Sequence, residues 1–344
     1  MVLIIRDFMR DLKVGIIGCG RIAVMHTVSI DAIDGVKLVA CCDTKIERAE
    51  SVAQKYGCNV YSDYIEMLDK EKLDAVHICL PHNVHTEVAK EAFIRGINVI
   101  SEKPMDVNYT KAEQAVELAK EKNVLYGVIF QCRYNNSARL VKEAVSSGKL
   151  GKVLSVVSTL TWSRPDSYYL ESDWKGTWDK EGGGVVIDQA IHSIDLVNWI
   201  VNSPIKSVSV SMANRGHDIV KVEDTAEGLI TYENGVKYGF YCMNNFGADE
   251  PIEIRMCCEN GKVVFGYDDA YICYNDDTVE EAHQDVNTKE YEGGKDYWGF
   301  QHIRQIEQFY KACKGIEPLE ISGEEALKTH KLIMDIYDKG NMRP

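Results

Sequence analysis

The sequence predicts a two-domain protein: an α/β domain on a parallel sheet over residues 1–130, and an α+β domain with a large open, mostly antiparallel sheet over 131–344. Three observations carry this. Short apolar runs alternate with amphipathic stretches up to about residue 130, the rhythm of βαβ units. A glycine-rich turn follows the first of these runs. Beyond them the pattern changes to longer strand-like stretches with Asn-Gly turns, and 344 residues exceed what one hydrophobic core usually supports.

Residues 14–17, 37–41, 75–79, 98–100 and 125–130 read as buried strands, each a short and nearly continuous apolar run. Between them, 21–33, 46–56, 86–95 and 110–121 carry apolar residues at helical spacing. A connecting helix is expected over 137–147. Strands at 225–232 and 236–242 flank Asn234-Gly235, and Asn260-Gly261 repeats that signal before 263–265; Asn-Gly is the favoured two-residue hairpin turn. Helical patterns at 300–313 and 323–337 close the chain, with no internal repeat or low-complexity tract.

Composition bounds the function. A net charge of −14 without a clustered basic face argues against a nucleic-acid partner. The 11 cysteines include the adjacent pairs Cys41-Cys42 and Cys257-Cys258 but no C-x-x-C, so neither a disulfide framework nor a zinc knuckle is indicated, and reduced thiols in a cytoplasm are expected. Residues 1–13 are too short and too charged for a signal peptide, and Met9 could serve as an internal start, leaving 1–8 without a role. No apolar run approaches the roughly 20 residues of a membrane span.

Gly18-Cys19-Gly20-Arg21-Ile22-Ala23 matches G-x-G-x-x-A directly after the strand at 14–17 and opens a helix. The first glycine permits a tight turn, the second lets the backbone approach a pyrophosphate, and the small Ala23 lets helix and strand pack closely. The helix amino terminus then presents N–H groups to phosphate. Asp43, ending the second strand, is placed to bind ribose hydroxyls and repel a 2′-phosphate, which favours NAD over NADP, although Lys45 and Arg48 stand nearby.

Two further segments carry chemistry. Ser101-Glu102-Lys103-Pro104 follows the strand at 98–100, at the carboxyl edge of the sheet where such folds bind ligands, and the proline displays Lys103 from a bent backbone. Residues 182–195 run from Gly182-Gly183-Gly184 into Asp188, His192 and Asp195; if 185–200 is helical, these three share one face. A histidine flanked by carboxylates suits proton transfer to a hydroxyl. Metal binding is the rival reading, though without a second histidine or cysteine at ligand spacing, and a buried structural histidine is another.

With these motifs, the chain resembles the Gfo/Idh/MocA oxidoreductases over nearly its whole length. The resemblance implies a Rossmann domain, an α/β domain whose open sheet packs in homodimers or homotetramers, and an active site between the domains. It implies hydride transfer between NAD(P) and a secondary alcohol carbon of a sugar, glycoside, sugar derivative or cyclitol, with Lys103 contacting the reacting hydroxyl and His192 as acid/base. Asp188 is similar to the aspartate of inositol-dehydrogenase-like members. Trp174-Lys175-Gly176-Thr177-Trp178, however, resembles a stretch of the sugar-nucleotide and glycoside 3-dehydrogenases, so the two signals point to different substrates. The resemblance also assigns Pro81, Asn83, His85 and Glu102, with Lys103, to the cofactor groove, and Arg133, Tyr134, Arg164, Tyr168 and Trp174 to substrate. The rival function is a non-catalytic, dinucleotide- and sugar-sensing regulator of the same fold, against which the joint presence of Lys103, Asp188 and His192 counts. A third is an enzyme that keeps its cofactor bound and swaps hydride between two sugars.

Overall fold

The computed structural model describes residues 10–284 and 301–343, so the proposed start at Met9 and the role of 1–8 lie outside the described residues. Two compact units result: residues 10–131 with 301–327, and 132–284 with 328–343.

In the first unit, β1 (Leu12–Ile17), α1 (Ala23–Ala32), β2 (Val36–Cys42), α2 (Ile46–Tyr56), β3 (Asn59–Tyr61), α3 (Tyr64–Lys70), β4 (Ala75–Ile78), α4 (His85–Phe93), β5 (Asn98–Ser101), α5 (Tyr109–Glu121) and β6 (Tyr126–Val128) alternate. All strand pairings are parallel, in the order β3-β2-β1-β4-β5-β6. β1 and β4 are adjacent at the point where the strand order reverses, and ligands of such sheets bind beyond the carboxyl ends of those two strands. β4 and most of β1 are buried on both faces, as continuous apolar runs require. The sequence reading lacked β3 and α3, which are short; Asp63 caps α3 by accepting from the N–H groups of Ile65 and Glu66.

The expected division at residue 130 needs one correction. Helix His302–Cys313, assigned to the second domain from its position in the sequence, belongs to the first unit and packs on α1. Its Ile306, Phe309 and Tyr310 join Val14, Ile16, Ala23 and Ile30 in one core cluster, so the apolar face, not chain order, decides its partner.

In the second unit, α6 (Asn136–Ser146) precedes β7 (Val153–Thr161), α7 (Asp166–Leu170), a π-helical turn (Val186–Ala190) and α8 (Ile191–Val201). β8 (Ile205–Ala213), β9 (Thr225–Tyr232), β10 (Lys237–Met243), β11 (Glu253–Cys258), β12 (Gly261–Phe265), β13 (Ala270–Tyr274) and β14 (Val279–Ala282) follow. They form one eight-stranded sheet, β14-β13-β12-β11-β7-β10-β9-β8, antiparallel except for the β7–β10 pair. Alternating burial along β10, β11 and β12 gives the sheet two unlike faces, and α6 and α8 pack on it. Val157 and Leu229 are about half exposed, at 52% and 44%.

Both Asn-Gly turns depart from the expected form. Gly235 has φ +90 but Asn234 does not enter the positive-φ region, so Glu233-Asn234-Gly235 is a three-residue turn; the two-residue type I′ turn needs positive φ at both centres. Cys258 pairs with Gly261, so the second loop is Glu259-Asn260 and the glycine starts β12. Among the described residues, no helix is long and apolar enough to cross a membrane.

Candidate active site

In the first unit the two fingerprint glycines do different work. Gly18 sits at φ +91, donates its N–H to the Cys42 carbonyl at 2.8 Å, and a Cβ on it would lie 2.2 Å from the Cys79 carbonyl oxygen. Only glycine fits there. A Cβ on Gly20 would meet nothing within 4 Å, so its backbone borders open space of the kind a pyrophosphate fills. Arg21 is exposed, Ile22 is the residue before α1, and Ala23 is buried against the sheet. Asp43 accepts the Cys19 N–H at 2.9 Å and the Lys45 N–H at 2.8 Å, one on each oxygen, so its carboxylate is fixed beside the glycine turn.

Beyond β4, Pro81 and Asn83 are half-buried at a short 3-10 turn. His85 departs from its expected cofactor role. It is fully buried, with Nδ1 2.7 Å from the Pro104 carbonyl and Nε2 2.7 Å from the Leu80 carbonyl. A neutral ring has one N–H, so it donates to only one of the two carbonyls, that of the loop after β4 or that of the turn bearing Lys103. Burial lowers its pKa, outweighing the two carbonyls that favour the charged ring.

Lys103 precedes Pro104 through a cis peptide bond and is buried, at 8% exposure. Its neighbour Glu102 was expected at the cofactor, but the structure centres it on histidines: Oε1 lies 3.1 Å from His26 Nε2 and 3.2 Å from His302 Nε2. Burial alone would raise the Glu102 pKa, yet the bonds to the two rings hold it well below the usual carboxylate range. The three ligand atoms lie within 4.8 Å of one another, a composition that can hold a metal. Here they are already matched to each other as donors and acceptor, and a cation would have to displace both N–H protons. Sequence reasoning missed this cluster because its members are 76 and 200 residues apart.

In the second unit the glycine run is built for packing. A Cβ on Gly183 would strike the Tyr337 hydroxyl at 2.0 Å, and one on Gly184 the Glu223 carbonyl oxygen at 1.9 Å. The buried Glu223 carboxylate accepts from the N–H of Gly184 at 2.9 Å, the N–H of Val186 at 3.1 Å and the Tyr337 hydroxyl at 2.6 Å. It thus caps the amino terminus of the following turn. Burial pushes its pKa up to about 7 despite those donors.

The segment expected as one helix over 185–200 opens as a π-helical turn before α8, so Asp188 and His192 do not keep α-helical i,i+4 stacking. His192 is buried, at 4% exposure. Asp188 Oδ2 accepts from the Tyr168 hydroxyl at 2.6 Å, Lys175 Nζ at 2.9 Å and Gln189 Nε2 at 2.6 Å. Lys175 also donates to the Tyr168 hydroxyl and lies 3.8 Å from Glu181. Burial works against charge on Lys175, but Asp188, Tyr168 and Glu181 outweigh it and raise its pKa. Asp195 forms a bidentate pair with Arg133, at 2.7 and 2.6 Å, and accepts from Thr329 at 2.7 Å.

The remaining expected substrate residues are distributed as follows. Arg133 is buried in the Asp195 pair and over the Trp199 ring, an anchoring role within its own unit and a departure from the expected one. Tyr134 is buried under the Arg139 guanidinium, 4.5 Å from ring centre. Arg164 pairs with Asp249 at 3.0 Å and stacks on Trp162 and Tyr168. Tyr168 and Trp174 both face the Lys175 ammonium, at 4.2 and 4.8 Å. Lys175 lies in the Trp174–Trp178 motif, and its cluster with Tyr168 and Asp188 is one that sequence spacing does not encode.

Comparison with known proteins fits this architecture. A family model for oxidoreductases with an NAD-binding Rossmann fold matches residues 12–130, and one for the Gfo/Idh/MocA carboxy-terminal domain matches 138–264. The chain is 24% identical over 337 residues to myo-inositol 2-dehydrogenase of Thermotoga maritima, covering 91% of this chain and 92% of that one. It is 29% identical to D-glucoside 3-dehydrogenase of Escherichia coli, covering 65% and 68%. Among solved structures, the WlbA dehydrogenase of Bordetella pertussis, in complex with NADH and UDP-GlcNAcA, superposes with a TM-score of 0.85 at 27% identity, covering 96% of each chain. With its NAD-binding Rossmann unit and its eight-stranded second unit, the chain belongs to the Gfo/Idh/MocA family of oxidoreductases.

Proposed function

We propose that the protein interconverts a secondary alcohol and a ketone on a sugar, sugar derivative or cyclitol, using NAD. When bound, NAD supplies the hydride acceptor at C4 of its nicotinamide. Lys103 polarises the reacting oxygen, and His192 takes the hydroxyl proton on oxidation and returns it on reduction. Pro81 and Asn83 line the cofactor groove, Asp43 binds the adenosine ribose and favours NAD over NADP, and Tyr168, Lys175, Asp188 and Trp174 meet substrate hydroxyls.

The observation that carries this reading is the pairing of an NAD-binding unit with Lys103 held in a buried turn and His192 buried on α8. The named activities of relatives on myo-inositol and D-glucosides, and the WlbA complex with UDP-GlcNAcA, support the substrate class. A cytoplasmic homodimer or homotetramer, formed by a second copy on the exposed side of the sheet near Val157 and Leu229, completes the proposal. The test is a screen of cyclitols, glycosides and sugar nucleotides with NAD and NADP, reading absorbance of the reduced cofactor. Turnover of one member, lost in His192→Ala, supports the reading; full turnover in that variant refutes it.

A further inference from the structure

His26, His77, His302 and Tyr310 are buried polar side chains of the first unit that the proposed reaction leaves unused. They form a continuous path. Tyr310 Oη lies 2.6 Å from His77 Nε2, His77 Nδ1 lies 2.8 Å from His26 Nδ1, and His26 Nε2 lies 3.1 Å from Glu102 Oε1. His302 Nε2 reaches the same Glu102 oxygen at 3.2 Å, while Glu102 Oε2 accepts the Lys103 N–H at 3.3 Å.

We infer that this chain has one polarity, running from Tyr310 through His77 and His26 to Glu102, and that His26, His77, His302, Tyr310 and Glu102 are positioning residues for Lys103. The argument starts at Glu102. An ionised carboxylate only accepts, so the Nε2 atoms of His26 and His302 must both carry protons. A neutral His26 then has a bare Nδ1, which can only accept, so His77 carries its proton on Nδ1. A neutral His77 has a bare Nε2, so the Tyr310 hydroxyl donates to it. Every one of these contacts is then satisfied, and the opposite direction would require a proton on Glu102 or a charged His26 ring. Burial lowers the pKa of His26 and lowers that of His77 further, which agrees with neutral rings.

The path joins α1, the helix opened by the glycine turn, to β4, to the Lys103 turn and to helix His302–Cys313. His85 Nδ1 lies 2.7 Å from the Pro104 carbonyl on the far side of the same turn. Lys103 is thereby anchored at its own N–H. The role given to these residues rests on the proposed role of Lys103, but the hydrogen-bond order does not.

The test uses the full chain with 15N-labelled histidine, the ring signals being assigned by single substitutions. The wild-type protein is expected to show His77 as the Nδ1–H tautomer and His26 as Nε2–H, both neutral at pH 7, with a proton on His302 Nε2. In Glu102→Gln the side-chain amide can donate to His26 Nε2, so the chain can reverse and the His77 signal should move toward the Nε2–H form. A residue serving only to fill space would not transmit that change. In the same variant, hydrogen exchange of the Lys103 amide should quicken at least tenfold, and kcat on any active substrate should fall at least tenfold. His302→Phe, which removes one donor and leaves Glu102 an acceptor, should keep the His77 tautomer but quicken Lys103 amide exchange in weaker form, and serves should Glu102→Gln fail to fold. Wild-type His77 in the Nε2–H form, a charged His26 or His77 ring, or His26 and His302 signals that convert to metal-bound shifts on adding zinc would overturn the hydrogen-bond order. Unchanged Lys103 exchange in both variants would overturn the positioning role. If no sugar or cyclitol is oxidised, the functional reading fails alone, since tautomers and exchange are read without substrate.

Discussion

Gly18 and Gly20 are two residues apart in one motif, yet the structure predicts opposite consequences for a side chain at each. At Gly18, φ +91 costs an L-residue about 1–2 kcal/mol. A Cβ 2.2 Å from the Cys79 carbonyl is 0.8 Å inside the 3.0 Å that real Cβ contacts respect, so β1 or the 79–80 segment must move. Losing the Gly18 N–H bond to Cys42 adds about 1 kcal/mol. Gly18→Ala should therefore lower stability by about 3 kcal/mol without any ligand present. At Gly20 a side chain meets open space, so Gly20→Val should change apo stability by no more than about 0.5 kcal/mol. Its effect should appear with cofactor. NAD at one hundred times its Kd stabilises the wild-type protein by about 2.7 kcal/mol. For a domain of this size, that raises the first unit's melting temperature by roughly 5–10 °C. Thermal scans of wild type and both variants, with and without NAD, check this. Gly20→Val should melt like wild type alone and gain nothing from NAD. A wild-type NAD shift in Gly20→Val would refute the placement of the pyrophosphate, and an undiminished apo melting temperature in Gly18→Ala would refute the steric argument.

Three other outcomes follow from the same geometry. His192→Ala should lose on the order of 10²–10⁴ in kcat with NAD affinity nearly unchanged, and Lys103→Ala should also slow turnover, both read by steady-state kinetics beside NAD titration. Asp43→Ala should narrow the preference for NAD over NADP in fluorescence titrations; equal affinity for both in the wild type would remove the ribose argument. Glu223 has a folded-state pKa raised from 4.5 to about 7, so its stabilising contribution is full below about pH 4.5 and is lost as pH rises through about 7. Glu223→Gln should flatten the stability profile across that window in chemical denaturation, and an unaltered profile would assign the pH dependence elsewhere.

The first unit was legible in the sequence wherever the signal was local. Apolar runs gave β1, β2, β4 and β5, and the fingerprint, strand and helix lay within a dozen residues of one another. β3 and α3 escaped because three- and seven-residue elements carry too few periods to register. Helix His302–Cys313 was recognised as a helix but assigned to the wrong unit, since an amphipathic face says that it must be covered and not by what. The same limit governs the site. Motifs mark Lys103 and His192 only as candidates, whereas the partners of Glu102 and Asp188 are set by folding. Glu102 was expected at the cofactor on motif alone; His26 and His302 reach it from 76 and 200 residues away, a separation no pattern encodes.

Asp188 and Lys175 show how tertiary placement can change the meaning of two motifs. Read in sequence, Asp188 resembled the inositol-type aspartate, and Lys175 sat in a stretch resembling the 3-dehydrogenases, so the two pointed to different substrates. In the structure they are one ion pair at 2.9 Å, bridged by the Tyr168 hydroxyl. Burial raises the pKa of the adjacent Glu181, which lies 3.8 Å from the ammonium against 2.9 Å for Asp188. Asp188 is then chiefly the counter-ion of Lys175 and not a spare negative charge beside His192. Removing either member of a buried pair leaves the other uncompensated, so each residue is held in place by the other as much as by any ligand. A cluster of one ammonium, one carboxylate and one phenol offers both donors and acceptors to vicinal hydroxyls, which inositols, glycosides and sugar nucleotides all present. The two motifs therefore form one cluster, and its proposed contact with substrate hydroxyls does not divide the substrate screen between them.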